Sequence, residues 1–221
     1  MSVAKRSDHT DYVLMRIRLR TTLIAASVAA AALAVGAPGA SAGLLVASAP
    51  DCSAKPTSAA FSSIDGDSTQ YSLAPGGDFE AGSPAWSLNG RASVVSGNEP
   101  WNLAGSDDSQ SLNLPPGASA TSPVMCVGIE HPAVRLVAKS SGLLPALAVD
   151  VITETSLGVK IGVPAGVLLP NGKWKPSPKL VVLSSLLPLL PGDHTPVQFR
   201  VTSLGLGTWS VDDFYLDPKC R

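Results

Sequence analysis

Charged and aromatic residues are scarce in this sequence: 15% of the residues are Asp, Glu, Lys or Arg, and 5% are Phe, Trp or Tyr. Histidine and cysteine are rarer still, with three of each and no Cys-x-x-Cys pair, so the usual ligands of a zinc site are missing. The His-Glu-x-x-His motif of zinc proteases is absent as well. We therefore predict a protein that is not an enzyme.

The N-terminal region has the parts of a secretory signal peptide. An arginine-rich segment at 16–20 precedes an apolar run at 23–35. That run has roughly 13 residues, fewer than the roughly 20 that a membrane-spanning helix requires. It is followed by Ala40-Ser41-Ala42, an A-x-A sequence that favours cleavage. We expect residues 1–42 to be removed and the mature chain to be secreted, with no transmembrane segment left in it.

Two alternatives stay open at this end of the chain. Residues 1–14 carry mixed charges and no apolar pattern, so translation starts either at Met1 or at Met15. An uncleaved N-terminal anchor is the second alternative, although the helix-breaking Pro38 and Gly39 argue against it.

The predicted mature chain is mildly acidic and has about 179 residues, enough for one domain with its own core. The signal peptide would take five Lys or Arg and two Asp or Glu with it, which leaves 11 basic and 15 acidic residues and a net charge of about −4. Nucleic acids and anionic lipid surfaces select clustered cations. We expect neither as a partner, because no basic run follows residue 42.

All three cysteines, Cys52, Cys126 and Cys220, belong to the predicted mature chain. An oxidising exterior favours one disulfide and leaves one cysteine over. Cys52 with Cys126 is the preferred pair, because it would tie the N-terminal segment to a buried strand. Cys52 with Cys220 is the alternative, since the two ends of a β-sandwich often run side by side.

Short runs of alternating apolar and polar residues predict an all-β domain at 65–221, preceded by an extended lead rich in Ala, Ser and Pro at 43–64. The clearest run is 197–202, where Val, Phe and Val alternate with Gln, Arg and Thr. The 19 prolines and 20 glycines fall mostly between such runs, as many short strands joined by turns require. The predicted strands are 86–89, 92–95, 111–114, 122–127, 134–139, 147–152, 159–163, 180–183, 197–202 and 208–216.

Two segments are ambiguous in this pattern. Residues 180–190 are almost continuously apolar and fit either a buried strand or a helix of about two turns. Asp65-Gly66-Asp67-Ser68-Thr69 begins like a calcium-binding loop, but Gln70 and Gly76 stand where an EF-hand has Gly and Glu. We predict a solvated turn there.

Motifs spread over about residues 71–216 resemble two groups of proteins. They are Gly76-Gly77-Asp78-Phe79-Glu80, Trp86, Gly97-Asn98-Glu99-Pro100, Ser111 to Pro115, Ala120 to Pro123, Cys126-Val127 and Val211-Asp212-Asp213. The pattern is similar to that of galactose-binding-like, carbohydrate-binding jelly rolls. It is more similar to a set of uncharacterised secreted proteins of high-GC Gram-positive bacteria. The resemblance implies a single jelly-roll β-sandwich but names no ligand, because fold does not imply function.

The resemblance also implies a set of metal ligands. In such jelly rolls, the Glu after the opening aromatic and an Asp of the last strand often help to hold a structural calcium ion, which makes Glu80, Asp212 and Asp213 the candidates. Backbone carbonyls of Gly76-Gly77 would complete the set. Acidic groups that meet in this way repel each other unless a cation or a proton lies between them. The alternative is that Glu80 caps a turn and Asp212 faces solvent, with no cofactor required.

Tryptophans in loops are the candidates for sugar binding. Trp86 and Trp209 lie in predicted strands, where we expect core residues. Trp101 and Trp174 lie in predicted loops and are the candidate ligand-binding residues. The alternative is that each folds back to cover the edge of the core.

Three functions remain in view. The first is a non-catalytic module that binds a polysaccharide or cell-wall glycan, and the second is a structural or protein-interaction domain without a small-molecule ligand. The third, a small secreted hydrolase, would require an acid pair or a His dyad to converge in a pocket, and a structure in which Glu130, His131 and Asp193 are scattered would rule it out.

Overall fold

Thirteen β-strands and one helical turn form the secondary structure of the residues described. The computed structural model describes residues 52, 55–80, 86–128, 131–155, 157–183 and 194–217, all of which belong to one unit, Gly39–Arg221. The predicted signal peptide, Glu130, residues 184–190, Asp193 and Cys220 lie outside the described residues. Within those ranges, no helix has the length and apolar character needed to cross a membrane.

The strands lie close to where the alternating runs predict them. The predicted strands at 134–139, 147–152 and 197–202 form the centres of β7, β8 and β12. The short strand β5 was not predicted, because Ser-Ala-Thr has too little apolar alternation to stand out. The elements are α1 (Ser62–Asp65), β1 (Ser72–Leu73), β2 (Ser87–Asn89), β3 (Ser93–Ser96), β4 (Gln110–Leu114), β5 (Ser119–Thr121), β6 (Met125–Val127), β7 (Ala133–Ser141), β8 (Ala146–Glu154), β9 (Lys160–Leu168), β10 (Lys175–Pro176), β11 (Leu180–Val181), β12 (Thr195–Leu204) and β13 (Thr208–Asp217).

Two antiparallel sheets form a β-sandwich. The first sheet has the strand order β10-β7-β13-β4-β3, with β1 on β13 and β11 on β7. The second has the order β2-β5-β12-β8-β9, with β6 also on β12. Every pairing between described strands is antiparallel. The prediction of an all-β sandwich is therefore confirmed.

The main core consists of apolar side chains that point between the sheets. In β12, Val197, Phe199 and Val201 are buried, whereas the residues between them are partly exposed. Phe214 lies at the centre of an aromatic group, with its ring centroid 5.1 Å from that of Phe199 and 5.4 Å from that of Trp86. Trp86 and Trp209 are both buried, which confirms the expectation that they are core residues.

A second, smaller apolar cluster covers the outer face of β7 and β13. Phe61 and Tyr71 pack there against Val137 and Tyr215. The Phe61 ring centroid lies 5.1 Å from that of Tyr71 and 5.6 Å from that of Tyr215, both edge to face. Residues 58–64, which belong to the predicted extended lead, therefore pack on the first sheet.

Asp65 and Asp67 bind Arg135 on the same outer face. The guanidinium bonds to a carboxylate oxygen of each, at 2.9 Å in the case of Asp67, and lies 4.1 Å from the Phe61 ring centroid. The side chain of Arg135 is only 5% exposed, so the two carboxylates supply the charge that its burial requires. The prediction of a solvated turn at Asp65–Thr69 is therefore wrong for Asp67. Its partner lies 68 residues further along the chain, where local sequence cannot show it.

Removal of one of these carboxylates should destabilise the protein. Asp67→Asn is expected to lower the free energy of unfolding by about 2 kcal/mol at neutral pH, because it takes a charged partner from a buried guanidinium. Although burial raises the pKa of Asp67, hydrogen bonds from Thr69 and Tyr71 and the charge of Lys179 outweigh it and hold that pKa well below its usual range.

The sign of the pH dependence follows from that depressed pKa. The stabilisation by Asp67 is present above its unfolded-state pKa of about 3.9 and is lost as the pH falls toward the folded-state pKa. Urea unfolding from neutral to acidic pH should therefore show the gap between wild type and Asp67→Asn shrinking below about pH 4. The exposed Glu154, changed to Gln, is the control. A gap that stayed constant across this range would contradict the role of the ion pair.

One disulfide joins the N-terminal segment to the sandwich. Cys52 is bonded to Cys126 of β6, with their Cα atoms 5.2 Å apart. This confirms the preferred pairing, and the alternative of Cys52 with Cys220 is wrong. Because β6 pairs with β12 of the second sheet, the bond fixes the segment before α1 to that sheet.

Loss of this bond should be costly, because the two cysteines are 74 residues apart in sequence. The chain-entropy model gives about 4 kcal/mol for a loop of that length. Cys52→Ser alone, and together with Cys126→Ser, should each lower the free energy of unfolding by about that amount in non-reducing urea. A decrease of less than about 1 kcal/mol in the free energy of unfolding would show that the disulfide does not restrict the unfolded chain.

Candidate metal centre

The connection between β3 and β4, residues 97–109, folds over the outer face of β13. The backbone N–H of Glu99 donates to Oδ2 of Asp212 at 3.2 Å. The hydroxyl of Tyr215 donates to the carbonyl of Leu103 at 3.1 Å. These contacts hold the connection, called the 97–109 loop below, against the last strand of the fold.

Glu99 organises the first half of the loop. Its Oε1 accepts the N–H of Leu103 at 2.7 Å, and its Oε2 accepts the N–H of Trp101. The side chain is 1% exposed. Each oxygen of a carboxylate can accept a second interaction, so both retain capacity for a further partner.

A β-bulge in β13 brings two acidic residues to the same side. Asp212 lies opposite Val137 and Tyr215 lies opposite Arg135, so two residues of β13 stand against one of β7. Asp213 is the extra residue and has a φ of 52°, in the left-handed region that Asp tolerates better than most residues. Regular alternation would send Asp212 and Asp213 to opposite faces. The bulge instead places both beside Glu99.

Glu99, Asp108 and Asp213 together form an acidic triad. One carboxylate oxygen from each of them comes within 4.8 Å of those from the other two. Asp213 is fully buried and Asp108 is 8% exposed. Both carboxylate oxygens of Asp108 and both of Asp213 lack a hydrogen-bond partner among the described residues. The triad thus brings buried carboxylate oxygens together, of which those of Asp108 and Asp213 have no hydrogen-bond partner among the described residues and those of Glu99 can each accept one more.

Burial and repulsion between neighbouring carboxylates determine the pKa values of the acids at this site. Burial raises the pKa of Asp213 and of Asp212, and the neighbouring carboxylates raise both further. Burial also raises the pKa of Asp108 to about 6; the side chain of Asn98 opposes this rise, and the charges of Glu99 and Glu80 add to it. In the described part of the chain, no Lys or Arg forms an ion pair with these acids. Such a group must either take up protons or hold a cation.

The triad could hold a metal ion such as calcium. Calcium binds oxygen ligands at about 2.3–2.6 Å, so two ligand oxygens on opposite sides of the ion stand about 5 Å apart. Oxygens that all lie within 4.8 Å of one another fit around one ion of that size. Carboxylates are also the ligands that hard cations prefer over soft ones.

Of the three ligands predicted from sequence, only Asp213 belongs to the triad. Glu80 accepts the N–H of Ser109 at 2.7 Å and that of Gln110 at 2.6 Å, so it fixes the C-terminal end of the 97–109 loop. Asp212 is fully buried and accepts the N–H groups of Glu99 and Asp213. These two acids position the loop around the triad.

The sequence did not single out Glu99 and Asp108 as ligands. Glu99 stands in the Gly97–Pro100 motif, and Asp108 follows Asp107 in the same loop. The usable signal was the presence of several acids in a connection of 13 residues between two strands, since loops of this length are frequently functional.

The two loop tryptophans have different surroundings. Trp101 is 38% exposed, and its backbone is held by Glu99. Trp174 is partly buried against the second apolar cluster, and Nζ of Lys139 lies 4.6 Å from its ring centroid. Among the ring contacts of the described residues, there is none between Trp101 and Trp174. They therefore do not form one aromatic platform.

The residues proposed for a hydrolase can be placed only in part. His131 accepts the N–H of Gly128 through Nδ1 at 3.1 Å, and its ring centroid lies 6.3 Å from that of His194. Glu130 and Asp193 lie outside the described residues. The hydrolase hypothesis therefore stays a prediction.

Carbohydrate-binding modules are among the solved structures to which this chain is similar. No family model matches the chain, and no curated protein matches it. A family 6 carbohydrate-binding module matches at 10% identity over 60% of this chain and 86% of that one, with a TM-score of 0.38. The C-terminal family 22 carbohydrate-binding module of Clostridium thermocellum Xyn10B matches at 16% identity over 64% and 91%, with a TM-score of 0.41.

A glycoside hydrolase is also among the matches. The chain matches a family 43 arabinoxylan arabinofuranohydrolase from Bacillus subtilis at 14% identity over 59% of its length, with a TM-score of 0.41, and spans 25% of that enzyme. At such identities, these structures transfer neither residues nor a ligand to this protein. None of them tests the resemblance to secreted proteins of high-GC Gram-positive bacteria.

Proposed function

We propose that this protein is a secreted, non-catalytic β-sandwich module whose 97–109 loop is fixed by a bound calcium ion. The observation that carries the proposal is the pair Asp108 and Asp213, whose four buried carboxylate oxygens lack partners. A cation at the triad would take one oxygen from each of these two acids and so give both carboxylates a partner. The arginine-rich and apolar N-terminal segments support secretion.

The composition of the triad favours calcium over magnesium. Magnesium usually keeps several waters and takes only one or two carboxylates, whereas calcium takes about six to eight oxygens from a flexible set of ligands. The triad offers three carboxylates on two separate elements, the 97–109 loop and β13. Calcium would thus cross-link the 97–109 loop to β13.

A cation at this place would also position Trp101. Glu99 is both a member of the triad and the acceptor of the Trp101 N–H. The exposed indole then stands on a loop with a fixed backbone, which is the arrangement that a stacking surface for a sugar ring requires. We propose that this surface binds a polysaccharide or cell-wall glycan. Trp174 is the weaker candidate, because it packs on the second apolar cluster and beneath Lys139.

Calcium should stabilise the wild-type protein and not the Asp213→Asn variant. At calcium about 100-fold above Kd the gain is about 2.7 kcal/mol, a rise of roughly 5–10 °C in Tm for a domain of this size. In chelator, Asp213→Asn should be more stable than wild type, because it removes one of the buried carboxylates that repel each other. Thermal melts of both proteins with calcium and with chelator measure this reversal.

Asp107→Asn is the matched control for this experiment. Asp107 is exposed, neighbours Asp108 in the sequence and is not part of the triad, so its variant should keep the full response to calcium. An unchanged Tm of wild type on addition of calcium, or a full response in Asp213→Asn, would refute the site.

Glycan binding should depend on Trp101 and on calcium. In affinity electrophoresis against soluble polysaccharides, chosen from a glycan array, Trp101→Ala should weaken binding about tenfold or more, and chelator should weaken that of wild type. Leu157→Ala, at another exposed apolar residue, is the control. A calcium response without glycan binding would leave the second function, a structural or protein-interaction domain, as the one that holds.

A further inference from the structure

Five connections between strands meet at one end of the sandwich. The strand register shows this directly, because Ser141 lies opposite Thr208, Leu204 opposite Ala146, and Leu147 opposite Leu168. The 97–109 loop and its acidic triad lie at the other end, beyond the opposite ends of β3 and β4. The five connections are residues 90–92, 115–118, 142–145, 169–174 and 205–207.

This end displays five exposed leucines and is called the leucine end. Their exposed fractions lie between 44% and 75%. A soluble domain exposes single apolar side chains routinely, but a group of them on adjacent turns marks an interaction surface. The five are Leu143, Leu144, Leu169, Leu204 and Leu206.

The turns that carry four of these leucines are locked together. A Cβ added to Gly205 would overlap the carbonyl oxygen of Leu144, and one added to Gly207 would overlap the carbonyl oxygen of Ser141 and the ring of Pro145. The two turns therefore touch backbone to backbone, which only glycine permits at these positions. The leucines are presented on a rigid support.

The conformation of Leu144 shows that packing does not explain these side chains. Its φ is +49°, in the left-handed region where Asn or Gly is favoured and a leucine is uncommon. Its side chain is 74% exposed, so burial does not compensate for that conformation. Asn would fit both the backbone conformation and the exposure of this position better than Leu. Contact with an apolar partner is the property that favours Leu here.

The charges at the leucine end are of one sign. None of the residues in the five connections is acidic. Arg91 and Lys173 are exposed among them, and the exposed Lys175 follows directly. The net charge of about −4 argues against an anionic lipid partner for the chain as a whole. The fold, however, gathers Glu80, Asp107 and the acidic triad at the opposite end and so leaves this end cationic.

We propose that the leucine end is a membrane-docking surface, whose leucines insert into the surface of a bilayer that contains anionic lipid. Exposed leucines on hairpin turns would enter the acyl boundary, while Arg91 and Lys173 would lie among the headgroups, as interfacial anchors require. Insertion at this depth is peripheral and reversible. A rigid set of turns favours it, because little conformational entropy is lost on binding.

Co-sedimentation of the mature protein with lipid vesicles tests the proposal. Vesicles of equimolar phosphatidylglycerol and phosphatidylcholine should bind wild type, and high salt should weaken the binding because it screens the headgroup charge. Vesicles of phosphatidylcholine alone should bind less. The double variant Leu143→Ser with Leu206→Ser should lose about tenfold or more in affinity, since two apolar side chains no longer enter the bilayer.

The chain offers a matched control at its other end. Leu157 and Val159 are 87% and 55% exposed in the connection between β8 and β9, and both changed to Ser should leave vesicle binding intact. Thermal melts should show that neither double variant unfolds, because none of the four side chains is buried.

Three results would overturn the proposal. Wild type could fail to sediment with either vesicle, or the Leu143→Ser with Leu206→Ser variant could bind as well as wild type. The third result is a wild-type dimer in sedimentation velocity that this variant makes monomeric, without vesicle binding. The leucine end would then be a contact between two copies of the chain.

Discussion

The bulge in β13 is the local feature on which the arrangement of the acidic end depends. One extra residue, Asp213, interrupts the pairing with β7 and turns a second carboxylate toward the side that Asp212 already faces. In a regular strand, one of the two acids would have entered the apolar core, which is not tolerated without a partner. The bulge keeps Phe214 in that core and leaves both acids to the 97–109 loop.

The sandwich separates its chemistry between two ends. One end gathers acids, with Glu80 and Asp212 shaping the loop and the triad meeting beneath it. The other presents exposed leucines and cations on turns that lie closely against each other. Antiparallel strands make this separation simple, because every connection emerges at one end or the other. A module built in this way presents different chemistry to its surroundings at its two ends.

Alternation of apolar and polar residues was sufficient to predict the strands that build the core. In β12, the alternating apolar residues Val197, Phe199 and Val201 face the core. Trp86 and Trp209 are buried, as their strand positions imply. The preferred disulfide, Cys52 with Cys126, is also the observed one. Prediction failed where residues far apart in sequence meet. The turn at Asp65–Thr69 looked solvated because nothing near it shows that Arg135 lies beneath.

The class of fold, the core and the acidic character of the last strand can be predicted from the sequence, because they depend on the period of side chains along a strand and on composition. The tertiary structure sets which acids share a site. Glu99 and Asp108 join Asp213 through a loop that crosses the sheet, while Glu80 and Asp212 bond to backbone amides. It also decided which surface is cationic, since net charge is a sum over the chain, whereas a partner meets only the charges that the fold brings to one end.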